Sequence, residues 1–182
     1  MSFRGNMDKI YYELESLAKR AGDAHKDFRK KWAEGCKACG GYAQYKKTPQ
    51  YEGSLEHFRT ETDNVWKIIK HAFEHLSEGG TEDMAAAFAY LKIKSRHFRS
   101  GYTKENLCRK LKKIKLTPEQ KDILTEIILE QIEAAGREFK EYGHLIPLIK
   151  SPELEKQLRY YPDGDSPKVK SRIEWITKAY FH

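Results

Sequence analysis

The sequence predicts an all-α fold, an irregular multi-helix bundle or a short stack of helical pairs with about six to eight helices. Three observations carry this. Apolar residues recur at three- and four-residue spacing along most of the chain. Only 6 prolines and 12 glycines interrupt its 182 residues. No stretch alternates over a strand's length and then turns as a hairpin would.

The first helix is expected over about residues 7–34, with Ile10, Leu14, Leu17, Ala21, Phe28 and Trp32 on one stripe and Gly35 as its stop. Residues 40–53 read as a loop rich in Gly, Tyr and Lys. Ser54 suits the cap of a second helix over 54–77, carrying Phe58, Val65, Ile69, Ala72 and Leu76. Gly79-Gly80 break it, and Thr81 suits the cap of a third helix with Met84, Ala87, Phe88 and Leu91 inward. "SRHFRSGY" reads as a linker, after which Thr103 opens a short helix with Leu107, Leu111 and Ile114.

"LTPEQ" is the strongest local signal. Thr117 is a good N-cap, Pro118 suits the first helical position, and Gln120 completes a capping box. The helix it starts is expected over 118–142 on Leu124, Ile128, Ala135, Phe139 and Tyr142, ending at Gly143. Ser151-Pro152 begins another short helix. "YYPDGDSP" turns the chain into a last helix with Val169, Ile173, Ile176 and Tyr180. This divides the chain into a core of residues 1–160 and a C-terminal turn and helix, 161–182, packed on it.

No run approaches the roughly 20 apolar residues that span a bilayer, so no membrane partner is expected. The start, MSFRGNMDKIYYELE, has no apolar signal-peptide core, and three cysteines do not suggest a disulfide framework. A protein of the reducing cytoplasm is the expectation. The net charge of +7 favours polyanionic partners, either nucleic acid or an acidic protein surface.

That charge is concentrated. Between Lys92 and Lys115 stand ten bases and one acid, Glu105, or about +9. Within it Lys94, Arg96, Arg99, Lys104, Arg109, Lys110, Lys112 and Lys113 are candidates to pair with phosphates. Phe98 and Tyr102, interleaved with them, are candidates to stack on unpaired bases. The next helix carries seven acids and three bases, or about −4, so the alternative is a basic helix neutralised by an acidic neighbour. A helix-turn-helix reader is disfavoured, because "SRHFRSGYT" is longer than the 3–4-residue turn of that motif.

Cys36-x-x-Cys39 followed by Gly40-Gly41 has the shape of a zinc knuckle. The other compact ligand pair is His71-x-x-x-His75, four apart on one helix face. The four together are the candidate ligands of a structural zinc. They are separated by more than the roughly 12–15 residues of a compact finger, so packing has to bring them together. The alternatives are a redox pair, disfavoured without a βαβ pattern, and two reduced thiols in a glycine turn. Cys108, beside Leu107 and Leu111, reads as a core cysteine.

Two Arg-to-His pairs occur, Arg20-x4-His25 and Arg137-x6-His144. At motif level this resembles the HEPN ribonucleases, all-α domains whose Arg and His meet across a dimer to cleave RNA. The resemblance covers only those residues. The polar residue that often follows the arginine in that family is Glu138 at the second pair and is replaced by Ala21 at the first. No phosphate loop, nucleophile elbow or catalytic carboxylate pair accompanies it. The sequence therefore favours a non-enzymatic accessory or scaffold protein. Its basic face, about 92–115, would contact nucleic-acid backbone without sequence specificity. An adaptor for an acidic protein is the alternative, and a HEPN-like ribonuclease the third.

Overall fold

The computed structural model describes residues 2–134, 139–161 and 166–181. Among these the chain is all-α. The helices are α1 (Phe3–Ala38), α2 (Tyr42–Tyr45), α3 (Pro49–His75), α4 (Thr81–Lys92), α5 (Ser100–Leu111), α6 (Pro118–Ala134), α7 (Phe139–Gly143), α8 (Pro152–Arg159) and α9 (Pro167–Phe181), with 3₁₀ turns at Leu76–Glu78 and Ile146–Leu148. No helix among the described residues is long and apolar enough to cross a membrane.

Four helices begin at Ser/Thr-Pro. Thr48-Pro49, Thr117-Pro118, Ser151-Pro152 and Ser166-Pro167 each put proline first in the helix, where its missing N–H removes nothing. At Thr117 the expected capping box is reciprocal. The Thr117 N–H donates to Gln120 Oε1 at 2.9 Å, and the Gln120 N–H to Thr117 Oγ1 at 3.3 Å. Ser151 accepts from the Leu154 N–H at 3.1 Å.

Some expected boundaries move. The second long helix starts at Thr48, not at Ser54, which is buried inside it and donates to the Tyr51 carbonyl. Gly80, not Thr81, occupies the N-cap of α4, and α5 begins at Ser100 rather than Thr103. Gly35 does not stop α1. A Cβ there would lie 2.1 Å from the Tyr45 ring, so glycine is needed for ring contact inside a continuing helix. The stop comes at Cys39-Gly40-Gly41. The Gly41 N–H donates to the Cys36 carbonyl at 2.8 Å, and Gly40 adopts φ 73°. This is a Schellman ending. Of the expected 118–142 helix, Ala135 lies outside the described residues, as do 162–165 of the C-terminal turn.

α4 is the centre of the molecule. Every residue from Met84 to Leu91 is buried, not only the expected inward stripe. A helix apolar all round has to be enclosed on all sides, and α1, α3, α5 and α6 supply the enclosure. α1 and α3 run antiparallel along it, Arg20 meeting Glu61 and Phe28 meeting both Tyr51 and Phe58. α9 packs on α6, α7 and α8 through buried Ile176.

Burying α4 leaves its last carbonyls without water. Unpaired, each would cost about 1–3 kcal/mol. Three buried side chains receive them. Tyr142 Oη donates to the Leu91 carbonyl at 2.9 Å, Gln131 Nε2 to Lys92 at 3.1 Å, and Lys104 Nζ to Ile93 at 2.6 Å.

Candidate functional site

The basic segment leaves α4 as an extended strap over 93–99 and continues as α5. Glu15 of α1 pins the strap. Its carboxylate accepts from the Lys94 and Ser95 N–H groups at 2.9 and 3.2 Å and from Ser95 Oγ at 2.5 Å. Two turns further along α1 the Arg96 carbonyl lies over Gly22, where a Cβ would stand 2.5 Å away.

The ten cations of this segment separate into two groups. Several bind the fold itself. Lys104 is 4% exposed and caps α4, which removes it from any surface. Lys110 donates to the Phe73 carbonyl near the end of α3, and Arg96 Nη2 to Ala134 at the end of α6 at 3.3 Å. Both placements suit the negative end of a helix dipole. Lys92 and Lys94 approach Glu130 at 4.0 and 3.6 Å, and Arg109 meets Glu141 at 3.3 Å. The acidic helix thus neutralises part of the basic one. The second group, Arg99, Lys112, Lys113 and Lys115, is exposed, and no ion pair among the described residues holds it.

Beside Arg99 lies a cleft of ≈410 Å³ between α3 and the 97–106 segment. Trp66 and Phe73 line it from α3, their rings 5.4 Å apart. Phe98, Arg99 and Tyr102 line it from the other side. Trp66, Phe98 and Tyr102 are 36%, 39% and 53% exposed, and here they gather at one opening. Phe98 is held from behind by His25 and Phe58, both at 5.5 Å. Arg99 lies over the Phe98 ring at 5.1 Å and has φ 61°, a left-handed conformation disfavoured for any residue with a side chain.

The floor of the cleft is a hydrogen-bonded pair, Tyr90 Oη and His97 Nε2 at 2.8 Å. His97 Nδ1 faces the Phe98 carbonyl at 3.2 Å. A carbonyl only accepts, so Nδ1 carries the hydrogen, and Nε2 accepts from the tyrosine hydroxyl. Burial pushes the His97 imidazole down to about 4, with nearby Lys104 adding to the effect, so the ring is neutral at pH 7.

Phe98, Arg99 and Tyr102 were legible in the sequence as candidates, and the structure brings them to one opening. Trp66, Phe73, Tyr90 and His97 were missed. Trp66 and Phe73, seven apart on α3, form a second apolar stripe beside the core stripe of Val65, Ile69 and Ala72. That signal was present.

The four candidate zinc ligands do not meet. Cys36 lies at the end of α1 near the start of α3, whereas His71 lies beside Asn6 and Ile10 near the start of α1. The antiparallel pairing puts about 26 residues of α1 between them, about 40 Å at 1.5 Å per residue. Among the described residues no group of three or more His, Cys, Asp or Glu could hold a metal. The histidines have other partners. His71 Nδ1 and Asp83, and His75 Nδ1 and Glu78, lie 2.7 Å apart. The hydrogen bond to Asp83 raises the His71 pKa. Gly40-Gly41 serve the Schellman ending, none of the three cysteines is in a disulfide, and Cys108 is buried as expected.

Of the Arg–His pairs, Arg20 faces Glu61 at 3.3 Å and His25 stacks on Phe58 at 5.2 Å. Arg137 and Glu138 lie outside the described residues. His144 is exposed against Trp175.

The described residues form an all-α bundle in which this cleft is an aromatic opening with Arg99 at its rim. The chain matches no protein-family model, no curated protein and no solved structure.

Proposed function

We propose that this chain is a non-enzymatic helical accessory protein that contacts the backbone of single-stranded nucleic acid without reading its sequence. The observation that carries this is the meeting of exposed Phe98 and Tyr102 with Arg99 at one opening, with Lys112 and Lys113 exposed just past the end of α5. Phosphates pair with the cations and unpaired bases stack on the rings. The face runs the length of α5, about 18 Å at 1.5 Å per residue. Its cations are fewer than the sequence suggested, because Lys104, Lys110 and Arg96 cap helix ends. Contact is therefore expected to be weak and salt-sensitive.

The test is retention of the purified protein on immobilised single strands at low salt. Reversing Arg99, Lys112 and Lys113 together to glutamate should abolish retention. Reversing Lys168 and Lys170, exposed on α9, should not. Absence of wild-type retention refutes the proposal. A protein partner that is lost with the same three changes, in nuclease-treated extract, favours the acidic-adaptor alternative.

A further inference from the structure

We infer that the cleft between α3 and the 97–106 segment is a subsite for one unpaired nucleobase. This rests on the proposed nucleic-acid contact and narrows it from a charged face to a slot of defined shape. Three partly exposed rings come from three separate segments: Trp66 from α3, Phe98 from the strap and Tyr102 from α5. They surround ≈410 Å³, within the size of small-ligand sites.

The charges select the class of ligand. An aromatic opening of this kind would also suit a quaternary ammonium. Here cations already cover two ring faces, Arg99 over Phe98 at 5.1 Å and Lys110 over Phe73 at 4.7 Å. A cationic ligand would meet both positive charges, against the single lining carboxylate of Asp63. A neutral heterocycle meets the rings, and the phosphate it carries meets Arg99 at the lip.

The floor agrees. The Tyr90–His97 pair is polar and uncharged, so it suits the edge of a neutral base better than an ion. Asn106 and Asp63, also in the lining, offer an amide and a carboxylate to a base edge. The acceptor-only carboxylate suits a base bearing an exocyclic amino group. Finally, Arg99 is the non-glycine residue with positive φ among those described, and it stands on this lip. Backbone strain of that kind collects at functional openings.

The experiment compares a short labelled single strand with the same strand made abasic, at one low salt concentration, by fluorescence anisotropy with the full chain. Both strands carry the same phosphates. Wild-type protein should bind the intact strand about fivefold to a hundredfold tighter. Tyr102→Ala and Trp66→Ala should each close most of that gap, weakening the intact strand far more than the abasic one. Tyr102 is more than half exposed, so its variant keeps the test valid if Trp66→Ala unfolds. Equal affinity of wild type for both strands overturns the subsite and leaves the backbone contact standing. No binding of either strand overturns both.

Discussion

Two clusters of aromatic rings lie along α3, and they differ in what the rings face. Toward its start, Phe28, Trp32, Tyr42, Tyr45, Tyr51 and Phe58 face one another at centroid separations between 5.6 and 6.4 Å. Further along, Trp66, Phe73, Phe98 and Tyr102 stand around an open cleft of ≈410 Å³. The first set holds the far ends of α1 and α3 together beyond the reach of α4. Each ring pair there adds about 0.5–1.5 kcal/mol to the burial itself. Both sets leave some ring surface to water, Trp32 and Tyr42 in the first being 40% and 47% exposed, but the second stands around the cleft and carries Arg99 and Lys110 over its rings. The same residue type thus closes a helix pair in one place and lines an opening beside cations in the other.

The largest effect that would test this contrast is on stability. Phe58→Ala removes a half-buried ring that meets His25, Phe28 and Phe98, and should cost about 2 kcal/mol in urea unfolding. Trp66→Ala should cost about 1 kcal/mol or less, because its ring is already partly in water. Equal costs would make the cleft part of the core and end the comparison.

Acid should act on the cleft floor. The folded-state value of His97 lies at about 4, below its ordinary 6.5, so folding favours the neutral ring. Its contribution is complete above pH 6.5 and is lost as pH falls from there toward 4. The loss amounts to at most about 3 kcal/mol at 1.36 kcal/mol per pKa unit. Unfolding followed across that window should show a shallower acid limb for His97→Asn than for wild type. Identical limbs would remove His97 from the floor.

Gly22→Ala should cost about 2 kcal/mol. The obstacle is a backbone carbonyl, that of Arg96, and it cannot rotate aside as a side-chain end would. The strap must move, so weaker strand binding should accompany the lower melting temperature. Arg99→Gly is the smallest and has the opposite sign. Releasing the left-handed residue should gain about 0.5 kcal/mol net of glycine's entropy, while removing the lip cation weakens binding. A variant both less stable and unchanged in binding would contradict its assigned place.

The fold class was legible because α1, α3 and α6 carry their core residues at helical spacing. So was the start of α6, where Thr117 and Gln120 satisfy each other locally. Gly35 misled, because its reason is a ring from α2, a contact no local rule contains. Thr48-Pro49 carries the same signature as Thr117-Pro118, so the true start of α3 was legible there, whereas the Ser54 hydroxyl donates to the Tyr51 carbonyl inside the helix. The basic block was legible as charge but not as destination. Nothing local distinguishes Lys104, buried under α4, from Lys112, exposed at the end of α5. The zinc grouping failed for a related reason. Ligand spacing is local, whereas the antiparallel course of α1 and α3 holds the two pairs apart.

The most direct test of the central claim is the salt dependence of single-strand affinity, wild type against the variant with Arg99, Lys112 and Lys113 all changed to glutamate. Three phosphate contacts predict a log–log slope of about −2 for wild type, about −0.7 for each, and no measurable binding by the variant. An affinity indifferent to salt, or the same slope in both proteins, would contradict the account.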